Sequence, residues 1–466
     1  MSESSYSPRL RTGVILCGSG TAGAYQAGVL RALTEAGVKV DLLAGHGAGA
    51  MTALCGAIDG GAGLWDPSGP WTSPRLRQAY GWRPALRVAA IGFLIAVLIL
   101  LSPLLVLLLA ALAYATSVVA ALVSFPTISA WFVELYRRSL EALFDPPVLP
   151  TAVPRAVVLA LLVVVGVLVT AAIRALRQEP ARRRFRGAFW WQLIGSPLSA
   201  DEPTGTLVDA LWKLVRGASS QPRPAQAEIG RRYVDVLTDN FGQPGFREVL
   251  VGVHDLDARR DLVGSVLPPP ARAAFEEKRA GAGPREAEIV DFTGPQRGLI
   301  VDFLLGALRP PIVVPPQPVP FPMESYWRGE VHRLCDRPEL ALRLVDEVAA
   351  VGVEQVILVC PASPPAQPHG MRGRPIDVRA RIGELVRSIE TAVLHDCATA
   401  AATRFSGVFV VRPGHNPIGP FDFGGVYDEA SDRHRTTREL IQQGYEDAYR
   451  QFIEPVVAAG ERLDEL

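Results

Sequence analysis

From Val88 to Val133 the chain runs for 46 positions without a charged side chain, and a second uncharged run, Ala156 to Ile173, covers 18 more. A helix needs about 20 apolar residues to cross a hydrocarbon core of roughly 30 Å. The core helix of a globular domain is the bland alternative, and 46 positions are too many for one. The pattern therefore predicts insertion into a membrane. Arg83 and Arg87 precede the first run, and Arg174, Arg177, Arg182, Arg183, Arg184 and Arg186 follow the second. By the positive-inside rule both outer ends are cytoplasmic, so the number of crossings is even. Ser102-Pro103 leaves open whether the first run holds one span or two, because proline kinks or breaks a helix. The expectation is two crossings, over 88–112 and 154–176, with 113–150 an extended helix end and a Pro-rich link. Arg137 and Arg138 in that link run against the rule. Trp190 and Trp191 suit either an interfacial anchor or ordinary core packing.

The charges balance, with 47 Lys+Arg against 47 Asp+Glu in 466 residues, so no electrostatic case exists for a nucleic-acid partner. The five cysteines are odd in number and none forms a CxxC pair, which argues against a disulfide framework and a zinc site. No metal and no cofactor is expected. Cys17 and Cys360 each close an apolar run and read as small core residues of a reducing compartment. Residues 1–12 are polar and carry no signal-peptide core. The basic residues are nearly all Arg, which hints at a GC-rich bacterial genome. There is no internal repeat.

Outside the apolar runs the chain alternates strand and helix. Gly13 to Cys17 is a short apolar run; Gly18-Ser19-Gly20-Thr21-Ala22-Gly23 follows; Ala24 to Ala36 has helical spacing and stops at Gly37. Val40 to Ala44 is a second strand candidate, and Gly45-His46-Gly47-Ala48-Gly49 opens a second helix. Further strands are expected at 246–253, 355–360 and 407–411, and helices at 340–350, 379–401 and 445–464. Residues 268–270, 309–322 and 361–368 read as Pro-rich loops. This alternation predicts an α/β fold with a mainly parallel sheet, interrupted by the helical insertion. The expected organisation is 1–85 and 178–466 as two halves of one domain, with 86–177 as the insertion. Both halves then lie on one side of the membrane, in agreement with the charged flanks.

Gly18-x-Gly20-x-x-Gly23 between a strand and a helix also fits a dinucleotide loop, with Asp41 near the distance of a ribose ligand. The second turn argues otherwise. Gly45-x-Gly47-x-Gly49 has the glycine frame of a nucleophile elbow, G-x-S-x-G, with glycine at the serine position. VILCGSGTAGAYQAGVLRAL is similar to the oxyanion loop and following helix of the patatin-like phospholipases, and DLLAGHGAGAMTAL resembles their elbow. The resemblance implies a three-layer α/β fold and hydrolysis of lipid acyl esters by a Ser–Asp dyad. It places the dyad aspartate, of a D-G-G/A motif, at Arg328 in Ser325-Tyr326-Trp327-Arg328-Gly329-Glu330-Val331. Ala22 and Ser19 depart from the family's oxyanion loop. Asp59-Gly60-Gly61 spells the dyad motif only twelve residues after Gly47, at the end of the same helix, and Asp422 is another stray acid.

With glycine and arginine at the dyad positions, no catalytic residue is assigned. The expectation is a pseudoenzyme of lipid metabolism in the inner membrane, multi-pass, with its α/β domain in the cytoplasm. It would bind an anionic lipid or a protein partner through Gly18, Ser19, Gly20, Gly23, His46, Gly47 and Arg328. Arg328 facing solvent and His46 as packing are the bland alternatives. The competing expectation is an active acyl hydrolase with a non-standard nucleophile, Ser19 the nearest.

Overall fold

A computed structural model describes residues 6–178 except 124 and 146, and residues 195–277, 284–364, 378–414, 417–423, 426–428 and 433–457. Two units emerge, one of residues 1–81 with 198–466 and one of residues 82–197. The first is a mixed α/β unit built on a mostly parallel sheet.

Its centre is β1 (Thr12–Leu16), flanked in parallel by β2 (Leu42–Gly45) on one side and β8 (Gln355–Val359) on the other. Beyond β2 lies β3 (Glu248–Asp255), parallel to it, and beyond β8 lies β9 (Gly407–Val411), also parallel. β1, β2 and β8 are mainly apolar and wholly buried and β3 nearly so, as expected where helices cover a parallel sheet, while the middle of β9 is half-buried. The order β3-β2-β1-β8-β9 reverses direction at β1. Open α/β sheets place their ligand sites outside the carboxyl ends of the strands at such a reversal. The loops after β1, β2 and β8 converge there.

The antiparallel additions were not legible in the sequence. β4 (Arg260–Val266) pairs antiparallel with β3, β5 (Ile289–Asp291) extends the sheet parallel to β4, and β6 (Gln317–Pro320) pairs antiparallel with β7 (Val331–Cys335). β6 falls within a stretch read as a Pro-rich loop. Proline cannot donate to a ladder, but it is tolerated at the edge of a sheet. The first of the Pro-rich loops, 268–270, runs into a helix, Pro269–Glu277, since proline suits the opening turn.

Helix α1 (Ala22–Glu35) is buried along most of its length, and the C-terminal helix packs on it with backbones nearly touching. A Cβ on Gly28 would lie 1.8 Å from the Ile441 carbonyl oxygen, and one on Gly444 would lie 2.1 Å from that of Tyr25. This C-terminal helix starts at Thr437, eight residues before the predicted start. The Thr436 side chain accepts from the Glu439 amide, and the Glu439 carboxylate accepts from the Thr436 amide, closing a capping box.

In the second unit, Pro84–Leu122 and Val153–Gln178 are helices long and apolar enough to cross a bilayer. A third helix, Pro126–Phe144, occupies much of the predicted link. It turns back along the first: Tyr114 and Tyr136 have ring centroids 5.4 Å apart. Near the start of the first helix, a Cβ on Gly92 would meet Val164 of the last at 2.8 Å. The unit is thus a hairpin, one arm a continuous 39-residue helix and the other broken over 145–152. Arg138 pairs with Glu134 at 2.7 Å, and Arg137 with Glu134 and Glu141. The two arginines that run against the charge rule are thus ion-paired with glutamates of their own helix. Trp190, Trp191 and the arginines at 182–184 and 186 lie outside the described residues.

Candidate functional site

The site forms at the carboxyl ends of β1 and β2, where the sheet order reverses. The elbow is shaped as its glycine frame predicts. A Cβ on Gly45 would stand 2.2 Å from the Gly49 carbonyl oxygen, and one on Gly49 would stand 2.0 Å from that of Leu16. Strand and helix approach closely enough to require both glycines. Gly47 caps helix α2 (Ala48–Gly56) at φ 59 and ψ −133. A side chain held there would store about 1–3 kcal/mol of strain, which glycine avoids.

The acid beside the elbow is Asp336. A Cβ on Gly47 would lie 2.9 Å from Asp336 Oδ2 and 2.6 Å from the Gly18 carbonyl oxygen. Arg328, assigned to this place from the sequence, is exposed in the turn before β7, while Asp336 follows the last residue of that strand. One full strand separates them, roughly 17 Å at about 3.3 Å per residue. The antiparallel pairing of Cys335 with His254 at the carboxyl end of β3 carries Asp336 to the elbow. Its local sequence, Asp336-Arg337-Pro338, lacks the glycines of the family motif and carries no local mark of the dyad acid. The other two acids stay outside the network: Asp59 is exposed, and Asp422 accepts from its own turn at the Gly419 amide.

Asp336 is 1% exposed and joins two of the predicted site residues. Ser19 Oγ donates to Oδ2 at 2.6 Å, and His46 Nδ1 lies 3.0 Å from Oδ1. The Ser19 amide donates to Glu390 Oε1 at 3.2 Å. Glu390 comes from the long helix Val378–Arg404, and no sequence signal singled it out. Burial first, and then the Asp336 charge, push its carboxyl up to about 8. His46 Nε2 is buried and finds no hydrogen-bond partner among the described residues. It faces a cavity of about 10 Å³ shared with Glu390, Cys17, Cys360 and Cys397, which is room for one water at most. Burial pushes the Cys17 and Cys360 thiols up and that of Cys397 up to about 12, so they pack as neutral core groups. All five cysteines are free and buried. Among the described residues no cluster of three or more His, Cys, Asp or Glu has the geometry to hold a metal.

Three amides of the two turns are already engaged. Ala48 N–H donates to the Gly18 carbonyl at 2.9 Å, Thr21 N–H to that of Pro420 at 3.4 Å, and Ser19 N–H to Glu390. Gly20 lies against the same Pro420 carbonyl, 1.8 Å from where its Cβ would be. Gly23 is covered by the Trp71 ring. Phe421 and Phe423 of the covering segment pack on Tyr80, with ring centroids 5.6 and 5.8 Å away. Of the predicted residues, Ser19, His46, Gly47 and Gly18 thus meet beside Asp336, with Ser19 also bonded to Glu390, while Gly20 and Gly23 pack against Pro420 and Trp71.

No protein-family model matches this sequence, and no curated protein matches it. Among solved structures, VipD from Legionella pneumophila aligns over 97% of this chain and 68% of its own, at 12% identity and a TM-score of 0.34.

Proposed function

We propose that this chain is a membrane-anchored, patatin-like protein of lipid metabolism whose elbow is catalytically silent. The observation that carries this reading is Gly47: it keeps the backbone of a nucleophile elbow, beside a buried aspartate, while the place of the nucleophile is filled by the Gly18 carbonyl. Covalent acyl transfer needs a nucleophile and free oxyanion donors. Glycine supplies neither thiol nor hydroxyl, and three amides of the turns are already bonded. The expected anion site loses support with Arg328 gone from the elbow, because among the described residues no cation replaces it there and the Asp336 carboxylate would repel a phosphate or carboxylate. Lipid contact in this reading comes through the two apolar helices. The hairpin of two arms supports an even number of crossings, which puts both parts of the α/β unit on one side of the membrane; the arginine flanks make that side the cytoplasm, with a protein partner as its further ligand.

One observation favours the second reading, an active acyl hydrolase. Ser19 Oγ and Asp336 Oδ2, 2.6 Å apart, have the hydrogen bond of a Ser–Asp dyad. Ester turnover decides between them. The wild-type chain is expected to show none above buffer. Gly47→Ser brings a hydroxyl beside Asp336, but its Cβ would meet the Gly18 carbonyl oxygen at 2.6 Å and Asp336 Oδ2 at 2.9 Å; a trace of turnover is expected where the Gly18 loop and the carboxylate shift to admit it. Wild-type turnover that disappears in Ser19→Ala would overturn the silent reading and make Ser19 the nucleophile.

A further inference from the structure

The α/β unit carries an apolar residue where a soluble surface would not keep one. Ile312 is 87% exposed and sits at φ 70, a region that β-branched side chains enter only under constraint. The constraint lies in the loop 308–314, which is fastened at both ends of the gap in the α/β unit. Tyr80 Oη donates to the Leu308 carbonyl at 2.6 Å, one residue before Gly81, the last residue ahead of the apolar helices. The Leu198 amide donates to the Val313 carbonyl at 2.9 Å, at the first residue after them. The Ser199 amide donates to the Gly81 carbonyl at 3.0 Å, so the two chain exits lie side by side. Ile312 thus projects from the clasp that holds both exits. The clasp sits at the elbow end of the sheet, because the Asp336 amide donates to the Arg309 carbonyl at 2.9 Å. Just before the first exit, Arg75 and Arg77 are exposed on either side of buried Leu76.

We infer that this end of the α/β unit is a bilayer-contacting face, with Ile312 inserted at the lipid headgroup boundary and Arg75 and Arg77 on anionic phosphates. The inference rests on the membrane-anchored reading and adds to it a surface of the α/β unit that touches lipid. Continuity with the chain exits selects the bilayer as occupant. An exposed apolar side chain on the clasp, together with two exposed arginines shortly before the first exit, matches the composition of a membrane-surface contact, and arginine binds phosphate through a planar fork. Salt screens such contacts while leaving the apolar insertion in place.

The test uses the full chain in vesicles of phosphatidylcholine and phosphatidylglycerol. Ile312→Cys is labelled with an environment-sensitive fluorophore, the buried native cysteines making the unlabelled wild type the blank. Lys39→Cys, exposed before the amino end of β2, is the comparator. Brominated acyl chains should quench most of the emission at position 312 and spare position 39, with iodide showing the reverse. An Arg77→Cys label reads the same face independently, in case Ile312→Cys disturbs the loop. Arg75→Gln with Arg77→Gln should abolish any gain in quenching from phosphatidylglycerol over phosphatidylcholine alone. A chain that floats with vesicles but shows equal iodide access at 312, 77 and 39 overturns the inference and leaves the anchoring intact. A chain that fails to float with vesicles overturns both.

Discussion

The elbow and the helical hairpin handle solvent in opposite ways. At the elbow the chain buries what water would hold: Asp336, Glu390 and His46, all at most 5% exposed. In the hairpin it exposes what water would expel. Leu104, Leu108 and Leu159 are each at least 65% exposed. Buried ionisable groups cost several kcal/mol unless partners satisfy them, and Asp336 is satisfied by two. Exposed leucines cost about 25 cal/mol for each Å² left in water, and no internal partner removes that cost. One region encloses its ionisable groups. The other leaves its apolar surface uncovered.

The sharpest break between the two would come from separating them. Replacing residues 82–197 by a short Gly/Ser linker should give a chain that stays in solution without detergent and melts cooperatively. The hydrogen bond between Ser199 and Gly81 places the cut ends together. The intact chain should sediment with membranes. Loss of a cooperative melt in the excised chain would show that the α/β unit depends on the hairpin to fold.

The second prediction concerns charge at the elbow. Burial holds the Glu390 carboxyl up to about 8 from its ordinary 4.5. Between those values the folded chain keeps a proton that the unfolded chain has released. Its contribution to stability is therefore full below about 4.5 and is lost as pH rises through about 8. The slope should reach about 1.4 kcal/mol per pH unit. Glu390→Gln should flatten it; denaturation at a series of pH values reads both. A stability that climbs across this window, or a slope untouched by Glu390→Gln, would mean the carboxyl is ionised in the fold.

The smallest effect compares one glycine from each region. Gly28→Ala puts a methyl 1.8 Å from a backbone oxygen and should cost about 1–3 kcal/mol or more by overpacking. Gly166→Ala, in the helix Val153–Gln178, meets nothing within 4 Å. It should stabilise by about 1 kcal/mol or less through helix propensity. Thermal melts in detergent give both signs. Equal signs would erase the distinction between a glycine required by packing and one tolerated by open space.

Much of this was written locally. The uncharged runs announced the two long helices, because helix length and hydropathy are properties of contiguous residues. The glycines at 45, 47 and 49 announced the elbow, since a strand-to-helix approach that close admits no other residue at its flanks. Gly28 announced nothing alone, because its partner, the Ile441 carbonyl, lies over 400 positions along the chain.

The identity of the elbow's acid was decided by topology. Arg328 and Asp336 are eight residues apart, and a motif read along the chain chose the first. The pairing of β7 with the end of β3 delivered the second, through hydrogen bonds between segments some 80 residues apart. Glu390 arrived from the far side of the sheet on a helix whose sequence marks no functional position. Periodicity and glycine spacing report on neighbours within a few residues. Which carboxylates meet in one buried volume depends on long-range pairing, and that exists only once the sheet has formed.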